Sequence, residues 1–230
     1  MNYGYNSLNG EKPPTLVKED EINRYCIQLY DHVIRNNEIN NKDILEVGSG
    51  RGGGASYVSR YHSPKSYTGL DISGDIIDFC NNYYNIPGLT FVKGAAENQP
   101  FGTSTFDIVV NVESARCYGN LTVFFQEVYR VMRPDGHFLL ADMMKKKDVK
   151  DMQSKLKEGG FQIIEQNNIT ENVINALNND TARRENLIQS LIPDFLRSSF
   201  TQFAATRGTK RYQSFTNGKY EYWTFVLSKT

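Results

Sequence analysis

The sequence predicts an α/β protein built on a doubly wound, mostly parallel sheet. The first observation is an apolar strand at 44–47 that runs into a glycine-dense turn at 48–54. The second is an alternation of strand-like and helix-like segments, which builds a parallel sheet covered by helices. The third is the continuous apolar run over 106–112, as expected for a central strand covered on both faces. Together they predict a Rossmann-like sheet of seven strands whose last strand is antiparallel.

The predicted elements follow in order along the chain. Residues 1–20 are expected to form an extended polar arm, since Pro13 and Pro14 exclude a helix there. Apolar residues at helical spacing predict an amphipathic helix over about 20–37. The strands are predicted at about 42–47, 66–71, 89–93, 106–112, 137–142, 161–166 and 221–227. Further helices are predicted at about 53–61, after the capping residue Ser73, at 119–132 and at 148–158.

A chain of 230 residues fits one domain, residues 1–230, with two additions to the α/β alternation. The first is the arm and helix at 1–37, and the second is a helical insertion at 170–205 that is broken near Pro193. The apolar side of this insertion either packs on the core or forms a cap over an apolar acceptor pocket. The sequence leaves both interpretations open.

The composition of the chain limits the classes of binding partner that are expected. Lysine plus arginine and aspartate plus glutamate both total 26, so the formal net charge is zero and no nucleic-acid partner is expected. The N-terminus lacks a signal-like apolar stretch, and no segment is long enough to span a bilayer, so no integral membrane association is expected. Three widely spaced cysteines form neither a disulfide framework nor a metal pattern, which suits the cytoplasm. The oligomeric state stays open.

The glycine turn and Asp71 predict a nucleoside cofactor. Glycines permit positive φ and let backbone N–H groups approach a ligand, while a carboxylate ending the next strand can accept hydrogen bonds from both ribose hydroxyls. The spacing Gly48-x-Gly50-x-x-Gly53 also satisfies the dinucleotide fingerprint, so NAD must be considered. Glu46 argues against NAD, because its carboxylate would repel a nearby pyrophosphate.

Several motifs resemble the class I S-adenosylmethionine (SAM)-dependent methyltransferases. They are the spacing Glu46-x-Gly48-x-Gly50-x-Gly52 and the segments GAAENQPF at 94–101, TFDIVV at 105–110 and EVYRVMRPDG at 127–136. The segments GGGASY at 52–57, YTGLD at 67–71, NVE at 111–113 and PDFLR at 193–197 are more closely similar to the phthiotriol/phenolphthiotriol dimycocerosate methyltransferases. This resemblance extends over nearly the whole chain.

The resemblance implies SAM as cofactor and S-adenosylhomocysteine as product, and no metal is expected. The residues implied in cofactor binding are Glu46, Gly48, Gly50 and Gly52 for the methionine moiety, Asp71 for the ribose, and Ile72, Ala95, Ala96 and Glu97 for the adenine, with Asn111 at the end of the fourth strand. Many relatives carry an aspartate where this chain has Ala95. The backbone of Ala95 and Ala96, or the carboxylate of Glu97, would therefore read the adenine.

The resemblance also indicates candidate catalytic residues after the fourth strand. Close relatives carry a histidine where this chain has Arg116, and arginine stays protonated, so it cannot act as a general base. Glu113 is the preferred group to polarise or deprotonate the acceptor, unless it only contacts the cofactor. Arg116 would bind an anionic group of the substrate or be a surface cation. Tyr118 would hydrogen-bond the acceptor or only pack in the wall of the site. Tyr3 and Tyr5 belong either to an arm that closes over the cofactor or to a disordered tail.

The expected function is methyl transfer to a hydroxyl of a small hydrophobic, lipid- or polyketide-like molecule of secondary metabolism. Alternatives that keep SAM are an amine or carboxylate acceptor, the latter motivated by Arg116. An inactive SAM-binding module is a third alternative, motivated by Ala95 and Arg116. An NAD-dependent enzyme is the most remote one.

Overall fold

A seven-stranded sheet forms the centre of the fold in the computed structural model, which describes residues 2–229. The ends of the predicted 1–230 domain, Met1 and Thr230, lie outside the described residues. The strands are β1 (Asp43–Val47), β2 (Ser66–Asp71), β3 (Leu89–Lys93), β4 (Phe106–Val112), β5 (Met132–Lys145), β6 (Phe161–Asn168) and β7 (Tyr220–Lys229). Their order across the sheet is β3-β2-β1-β4-β5-β7-β6.

The strand pairing confirms the predicted fold class. β1 pairs in parallel with β2 and β4, β2 with β3, and β4 with β5, whereas β7 is antiparallel to both β5 and β6. The chain leaves β1 toward β2 and returns to β4 on its other side, so the strand order reverses between β1 and β4. The crevice at the carboxyl ends of these two strands is where such sheets bind ligands.

Eight α-helices of the described residues surround the sheet. They are α1 (Arg24–Ile34), α2 (Gly53–Tyr61), α3 (Gly74–Tyr83), α4 (Leu121–Val131), α5 (Val149–Glu158), α6 (Thr170–Leu191), α7 (Asp194–Phe203) and α8 (Lys210–Thr216). Ser73 caps α3 as predicted, since its Oγ accepts a hydrogen bond from the Ile76 N–H at 3.4 Å. None of these helices combines the length and apolarity needed to cross a bilayer.

The largest differences from the sequence prediction are the start of β5 and the helix α8. β5 begins at Met132 rather than 137, because Met132 pairs with Phe106 of β4 as soon as α4 ends. The helix α8 was not predicted. It has seven residues, of which Phe215 is the buried one, so it carries no helical periodicity of apolar residues.

Side chains of the central strands alternate between two hydrophobic clusters, one on each face of the sheet. Ile44 and Ile108 pack with α1, α2 and α6, whereas Leu45 and Val109 pack with α4 and α5. This alternation is the period of two expected of β-structure. Both faces of β1 and β4 are therefore covered, which places these strands at the buried centre of the sheet.

The N-terminal arm is extended, as predicted, and packs into the protein rather than forming a disordered tail. Tyr3 and Tyr5 are buried, and the Tyr5 N–H donates to the Tyr25 carbonyl of α1 at 3.0 Å. Gly4 has φ +85° and lies so close to Tyr25 that an added Cβ would be 3.0 Å from the Tyr25 Cβ. Asn172 at the start of α6 accepts from the arm on its other side. The arm therefore fills a groove between α1 and α6.

The helical insertion divides into two parts with different environments. The first half of α6 is anchored in the core by Val173, Ala176 and Leu177, whereas α7 contains no buried residue. The break near Pro193 is present, since α7 begins at Asp194. Packing on the core therefore accounts for α6, and a cap over the acceptor stays a prediction for α7.

Gly54 sets the distance between α1 and α2, and this leads to a test of stability. A Cβ added to Gly54 would overlap the Tyr30 ring of α1, whereas one added to Gly53 meets nothing within 4 Å. Gly54→Ala is expected to lower the free energy of unfolding by about 1–3 kcal/mol through overpacking. Gly53→Ala, the matched control, should leave it unchanged or raise it by up to about 1 kcal/mol. Urea denaturation measures both, and equal values would show that Gly54 does not limit the packing.

Candidate active site

The glycine turn after β1 lies tightly against the segment that follows β4. Gly48, Gly50 and Gly52 all have positive φ, at +75°, +51° and +73°. The Gly48 N–H donates to the Leu70 carbonyl of β2 at 2.8 Å, which curls the turn back over the sheet. A Cβ at Gly48 would be 2.7 Å from the Tyr118 hydroxyl. Backbone geometry and close approach therefore both require glycine at this position.

The surroundings of the turn fit a nucleoside cofactor. Asp71 accepts hydrogen bonds from the N–H groups of Gly50 (2.9 Å) and Ser73 (3.0 Å), and about half of its lone-pair sites remain for ribose hydroxyls. Ile72 is 71% exposed, which leaves an apolar surface beside that carboxylate for a base. The buried Ser49 Oγ has no hydrogen-bond partner among the described residues. A polar atom of this kind is expected beside a ligand.

The carboxylate of Glu46 faces the protein interior, whereas a direct contact with the cofactor was predicted. Its carboxylate is completely buried and accepts hydrogen bonds from the hydroxyls of Tyr30 (2.6 Å) and Tyr67 (3.1 Å). Burial raises the pKa of Glu46 to about 7, against the lowering effect of the two tyrosines. The structure shows it as a brace between α1, β1 and β2, and contact with the methionine moiety stays a prediction.

Asn111 links the ends of β1 and β4. Its buried amide nitrogen lies 2.9 Å from the Val47 carbonyl, 2.7 Å from Ser114 Oγ and 3.1 Å from the Tyr118 hydroxyl. The Tyr118 hydroxyl in turn donates to Ser114 Oγ at 2.9 Å. The structure thus brings Asn111 and Tyr118 to the glycine turn. Tyr118 is committed to this network on the cofactor side, and its contact with an acceptor stays a prediction.

The segment after β3 lies at the adjacent edge of the sheet. Ala96 is buried and Ala95 is half-buried, with an isolated β-bridge between Ala95 and Asn98. Glu97 Oε1 accepts hydrogen bonds from the N–H groups of Gly119 (3.0 Å) and Asn120 (3.4 Å). One carboxylate oxygen of Glu97 is therefore used to hold the start of α4. The reading of adenine by this segment stays a prediction.

Glu113 follows β4 directly and is held from three directions. Its φ of +55° is uncommon for a residue with a side chain, and conformations of this kind concentrate at functional sites. Oε1 accepts from the Tyr3 N–H at 2.7 Å and from the Tyr222 hydroxyl at 3.1 Å, and Oε2 lies 3.5 Å from Arg116 Nη2. Burial raises the pKa of Glu113, and Arg116 opposes that shift.

Arg116 is paired with two buried carboxylates. Besides Glu113, its Nη1 donates to Asp142 Oδ1 at 2.5 Å and its backbone N–H donates to Asp142 Oδ2 at 3.0 Å. Arg116 is exposed at the surface, as one interpretation expected, but its guanidinium also joins an ion-pair cluster at the ends of β4 and β5. Its charge is already offset, which argues against its use as a free clamp for a substrate anion. Orientation of Glu113 is the role its contacts support.

Buried Arg184 of α6 ties the arm to this cluster. Its Nη2 donates to the carbonyls of Asn2 (3.0 Å) and Tyr3 (3.1 Å), and its Nη1 donates to Ala204 (2.9 Å). Its own charge is balanced by Asp180, which accepts from Nε at 2.8 Å. Apart from the bond to Asp180, these hydrogen bonds of Arg184 reach residues outside α6. Arg184 thereby fixes the residue whose N–H caps Glu113.

The aromatic rings of the arm pack against protein groups. The Tyr3 ring meets Phe215 edge-on at 5.5 Å between centroids, and the Tyr5 ring stacks on His32 at 4.1 Å. The arm reaches the candidate site through the backbone of Tyr3 rather than by presenting a ring face. Closure over a cofactor by cation–π attraction therefore finds no support in these contacts.

Three residues of the site were not identified from the sequence. Asp142 had a signal, since it lies at the carboxyl end of β5 beside β4, at the edge where such sheets bind ligands. Tyr222 had none, because its place depends on the antiparallel register of β7, in which it pairs with Met143. Arg184 had none either, since it lies on a long helix among several other charged residues.

Comparison with known proteins adds to this geometry. A family model described as a methyltransferase domain matches residues 45–140. A fatty-acid O-methyltransferase of Mycolicibacterium smegmatis is 37% identical over 232 residues, covering 100% of this chain and 82% of that protein. A phthiotriol/phenolphthiotriol dimycocerosates methyltransferase of Mycobacterium tuberculosis is 35% identical over 222 residues, covering 95% and 82%.

Among solved structures, the [4+2]-cyclase SpnF superposes with a TM-score of 0.77 at 15% identity. The match covers 100% of this chain and 88% of SpnF. At this identity the likeness shows the shared fold alone.

The burial of Glu46 leads to a prediction about pH. Its folded-state pKa of about 7 exceeds the ordinary 4.5, so the folded protein holds this proton more tightly than the unfolded chain. The stabilisation is fully present below pH 4.5 and is lost as the pH rises to 7. Glu46→Gln removes this loss. Between pH 4.5 and 8, the unfolding free energy of wild type should therefore fall by up to about 3 kcal/mol relative to that of Glu46→Gln.

Urea denaturation across this pH range measures the effect. Glu158→Gln, at the exposed end of α5, is the control for removing one carboxylate at the surface. If wild type and Glu46→Gln lost stability in parallel between these pH values, the buried carboxylate would not be the titrating group.

Proposed function

The chain belongs to the SAM-dependent methyltransferases, and we propose that it methylates a hydroxyl oxygen of a small hydrophobic, lipid-like molecule. The two relatives are named for a fatty acid and for phthiotriol and phenolphthiotriol dimycocerosates. These names support a hydrophobic acceptor for this chain. The observation that carries the choice of a hydroxyl is the buried Glu113 carboxylate, held between Arg116 and Tyr222.

The cofactor is SAM, which when bound supplies a methyl carbon made electrophilic by its sulfonium sulfur. We propose that the glycine turn and Asn111 hold its methionine moiety, Asp71 its ribose, and Ile72 with the segment at 95–97 its adenine. The tight fit of the turn, the spare acceptor capacity of Asp71 and the exposed side chain of Ile72 support these roles. Glu46 would act indirectly, by holding the strand from which the turn begins.

Glu113 is the proposed proton acceptor. A hydroxyl is weakly acidic, and a positioned base contributes about 10²–10⁴-fold to such a transfer. Tyr3 and Tyr222 both donate to Oε1, so Oε2 is the oxygen left for the acceptor's proton. Burial raises the pKa of Glu113, which makes the carboxylate a stronger base than a surface glutamate. Arg116, with Asp142 behind it, keeps this carboxylate in place.

The charge of the cluster favours a neutral acceptor. With Glu113 and Asp142 both ionised, two negative charges face the single positive charge of Arg116. An anionic acceptor would be repelled by the net negative charge of this cluster, and such repulsion is strong where water is excluded. Carboxyl O-methylation is the second candidate, and the fatty-acid O-methyltransferase relative supports it. Because a carboxylate needs no base, the two candidates differ in their dependence on Glu113.

A cytoplasmic location is proposed as well. Cys26, Cys80 and Cys117 are all free, and Cys117 is exposed, as suits a reducing compartment.

Replacement of Glu113 tests the proposed chemistry. Glu113→Gln keeps the shape of the side chain but removes the base, so kcat toward a long-chain alcohol should fall about 10²–10⁴-fold. SAM affinity and the thermal midpoint should stay close to wild type. Tyr222→Phe removes one hydrogen bond to Oε1 and should have a smaller effect on kcat. The assay is methyl transfer from labelled SAM, with a fatty acid of the same chain length as the second acceptor.

Two outcomes would contradict this proposal. A normal rate of Glu113→Gln on the alcohol would remove Glu113 from the chemistry. Activity on the fatty acid alone, unaffected by Glu113→Gln, would establish the carboxyl candidate instead.

Asp71 tests the cofactor site separately. Asp71→Asn weakens hydrogen bonds from the ribose to a charged acceptor, each worth about 1.5–3 kcal/mol, so SAM affinity should fall roughly 10- to 100-fold. Asp75→Asn, on an exposed residue in the first turn of α3, is the matched control and should bind SAM as the wild type does. Calorimetry with SAM, S-adenosylhomocysteine and NAD measures this. An equal loss of SAM affinity in both variants would mean that the overall charge of this region, rather than a contact of Asp71, affects SAM binding.

A further inference from the structure

Helix α7 presents an uncovered apolar face. Leu196, Phe200 and Phe203 follow one another at positions i, i+4 and i+7, and Phe195 flanks this stripe. Phe195 is 82% exposed, Phe203 65%, Phe200 42% and Leu196 38%, and Leu191 at the end of α6 is 72% exposed. No residue of α7 is buried. A contiguous apolar face of this kind marks a binding surface rather than a core element.

A positively charged segment adjoins this face. From the start of α7 to residue 220 there are five basic residues and one acidic residue, Asp194, which pairs with Arg197, although the whole chain has 26 of each sign. Arg207, Lys210 and Lys219 are exposed and form no ion pair with any described residue. The Lys210 N–H donates to Gln202 Oε1 at 3.0 Å, so α8 begins against the last turn of α7. The cations therefore start beside the apolar face.

We propose that α7 and the basic segment 204–219 dock on an anionic lipid surface. The apolar side chains would enter the boundary of the acyl chains, while the cations interact with anionic headgroups, as in other interfacial amphipathic helices. Charge complementarity selects this occupant. A second copy of the chain, meeting the first through the same face, would bring Arg207 against a like-charged segment.

The docking face is continuous with the candidate active site. Phe203 and Ala204 line a crevice together with Tyr3, Glu113 and Arg116. The volume of this crevice is only about 10 Å³, so a lipid acceptor would reach Glu113 along the end of α7 only if α7 moves aside. This route rests on the proposed function, whereas docking on lipid does not.

Co-flotation of the full chain with vesicles tests the docking. The protein should float with vesicles of phosphatidylcholine mixed with phosphatidylglycerol and should not float with phosphatidylcholine alone. Binding should weaken at high ionic strength, because the attraction to headgroups is screened. No methyl acceptor or cofactor is required, so the result is independent of the enzymatic assay.

Two double variants separate the apolar and charged contributions. Phe195→Ser with Phe200→Ser should lower vesicle partitioning at least about tenfold through loss of buried apolar surface. Arg207→Gln with Lys210→Gln should lower it about 25-fold, at roughly fivefold per charge. Neither pair touches the core, so folding should be retained. The matched controls are Ile164→Ser, which is 55% exposed on β6, and Lys147→Gln with Lys150→Gln, both exposed near α5.

Three results would overturn the proposal. They are no flotation with the anionic vesicles, equal binding to both vesicle types, and wild-type binding by both double variants. A concentration-dependent dimer that Phe195→Ser with Phe200→Ser dissociates would assign the face to a second copy. A normal rate of methyl transfer by Glu113→Gln would contradict the proposed function, whereas vesicle binding that needs both the apolar face and the cations would still support docking.

Discussion

The burial of two carboxylates around one guanidinium is the constraint on which this site depends. Removing the carboxylates of Glu113 and Asp142 from water is costly unless each charge is paired and hydrogen-bonded. The partners come from distant parts of the chain: Tyr3 on the arm, Tyr222 on β7 and the Arg116 backbone after β4. The arm and the last strand must therefore both be in place before Glu113 is held in its orientation.

Helix α1 connects this cluster to the glycine turn. On one side it supplies the Tyr30 hydroxyl to the buried carboxylate of Glu46, just before the turn. On the other it supplies the carbonyls of Tyr25 and Cys26, which hold the arm. The arm in turn caps Glu113. The cofactor side and the proposed acceptor side are thus joined through one helix, whose distance from α2 is limited by the absence of a side chain at Gly54.

The elements beside the proposed acceptor side differ in how firmly they are anchored to the protein. Arg184 holds the arm and the end of α7 with hydrogen bonds that are protected from water. Helix α7 itself has no buried side chain, so little apolar burial opposes its displacement. Local stability in proteins follows buried apolar contact, and low-stability segments are those that move for ligands. The same helix carries the apolar face proposed to contact lipid, which places a helix without buried side chains where a hydrophobic acceptor would arrive.

Local patterns in the sequence were sufficient for the parallel half of the sheet. The bounds of β2, β3, β4 and α2 agree with those predicted, because a strand between turn residues or a helix after glycines is specified by its own residues. The glycine turn and Asp71 were predicted for the same reason, as the backbone of a tight turn restricts which residues fit. The resemblance to methyltransferases lay in these local motifs as well.

Tertiary structure alone decided the environments of the candidate residues beyond the cofactor. Glu113 meets Tyr3 and Tyr222 across 110 and 109 residues of chain, and no local pattern encodes contacts of that separation. The pairing of Arg116 with Asp142 depends on the register between β4 and β5, and the complete burial of Glu46 depends on where α1 packs. A charged residue looks the same in a sequence whether it is solvated or buried. Only the folded chain determines its partners, and so whether its charge is free to act.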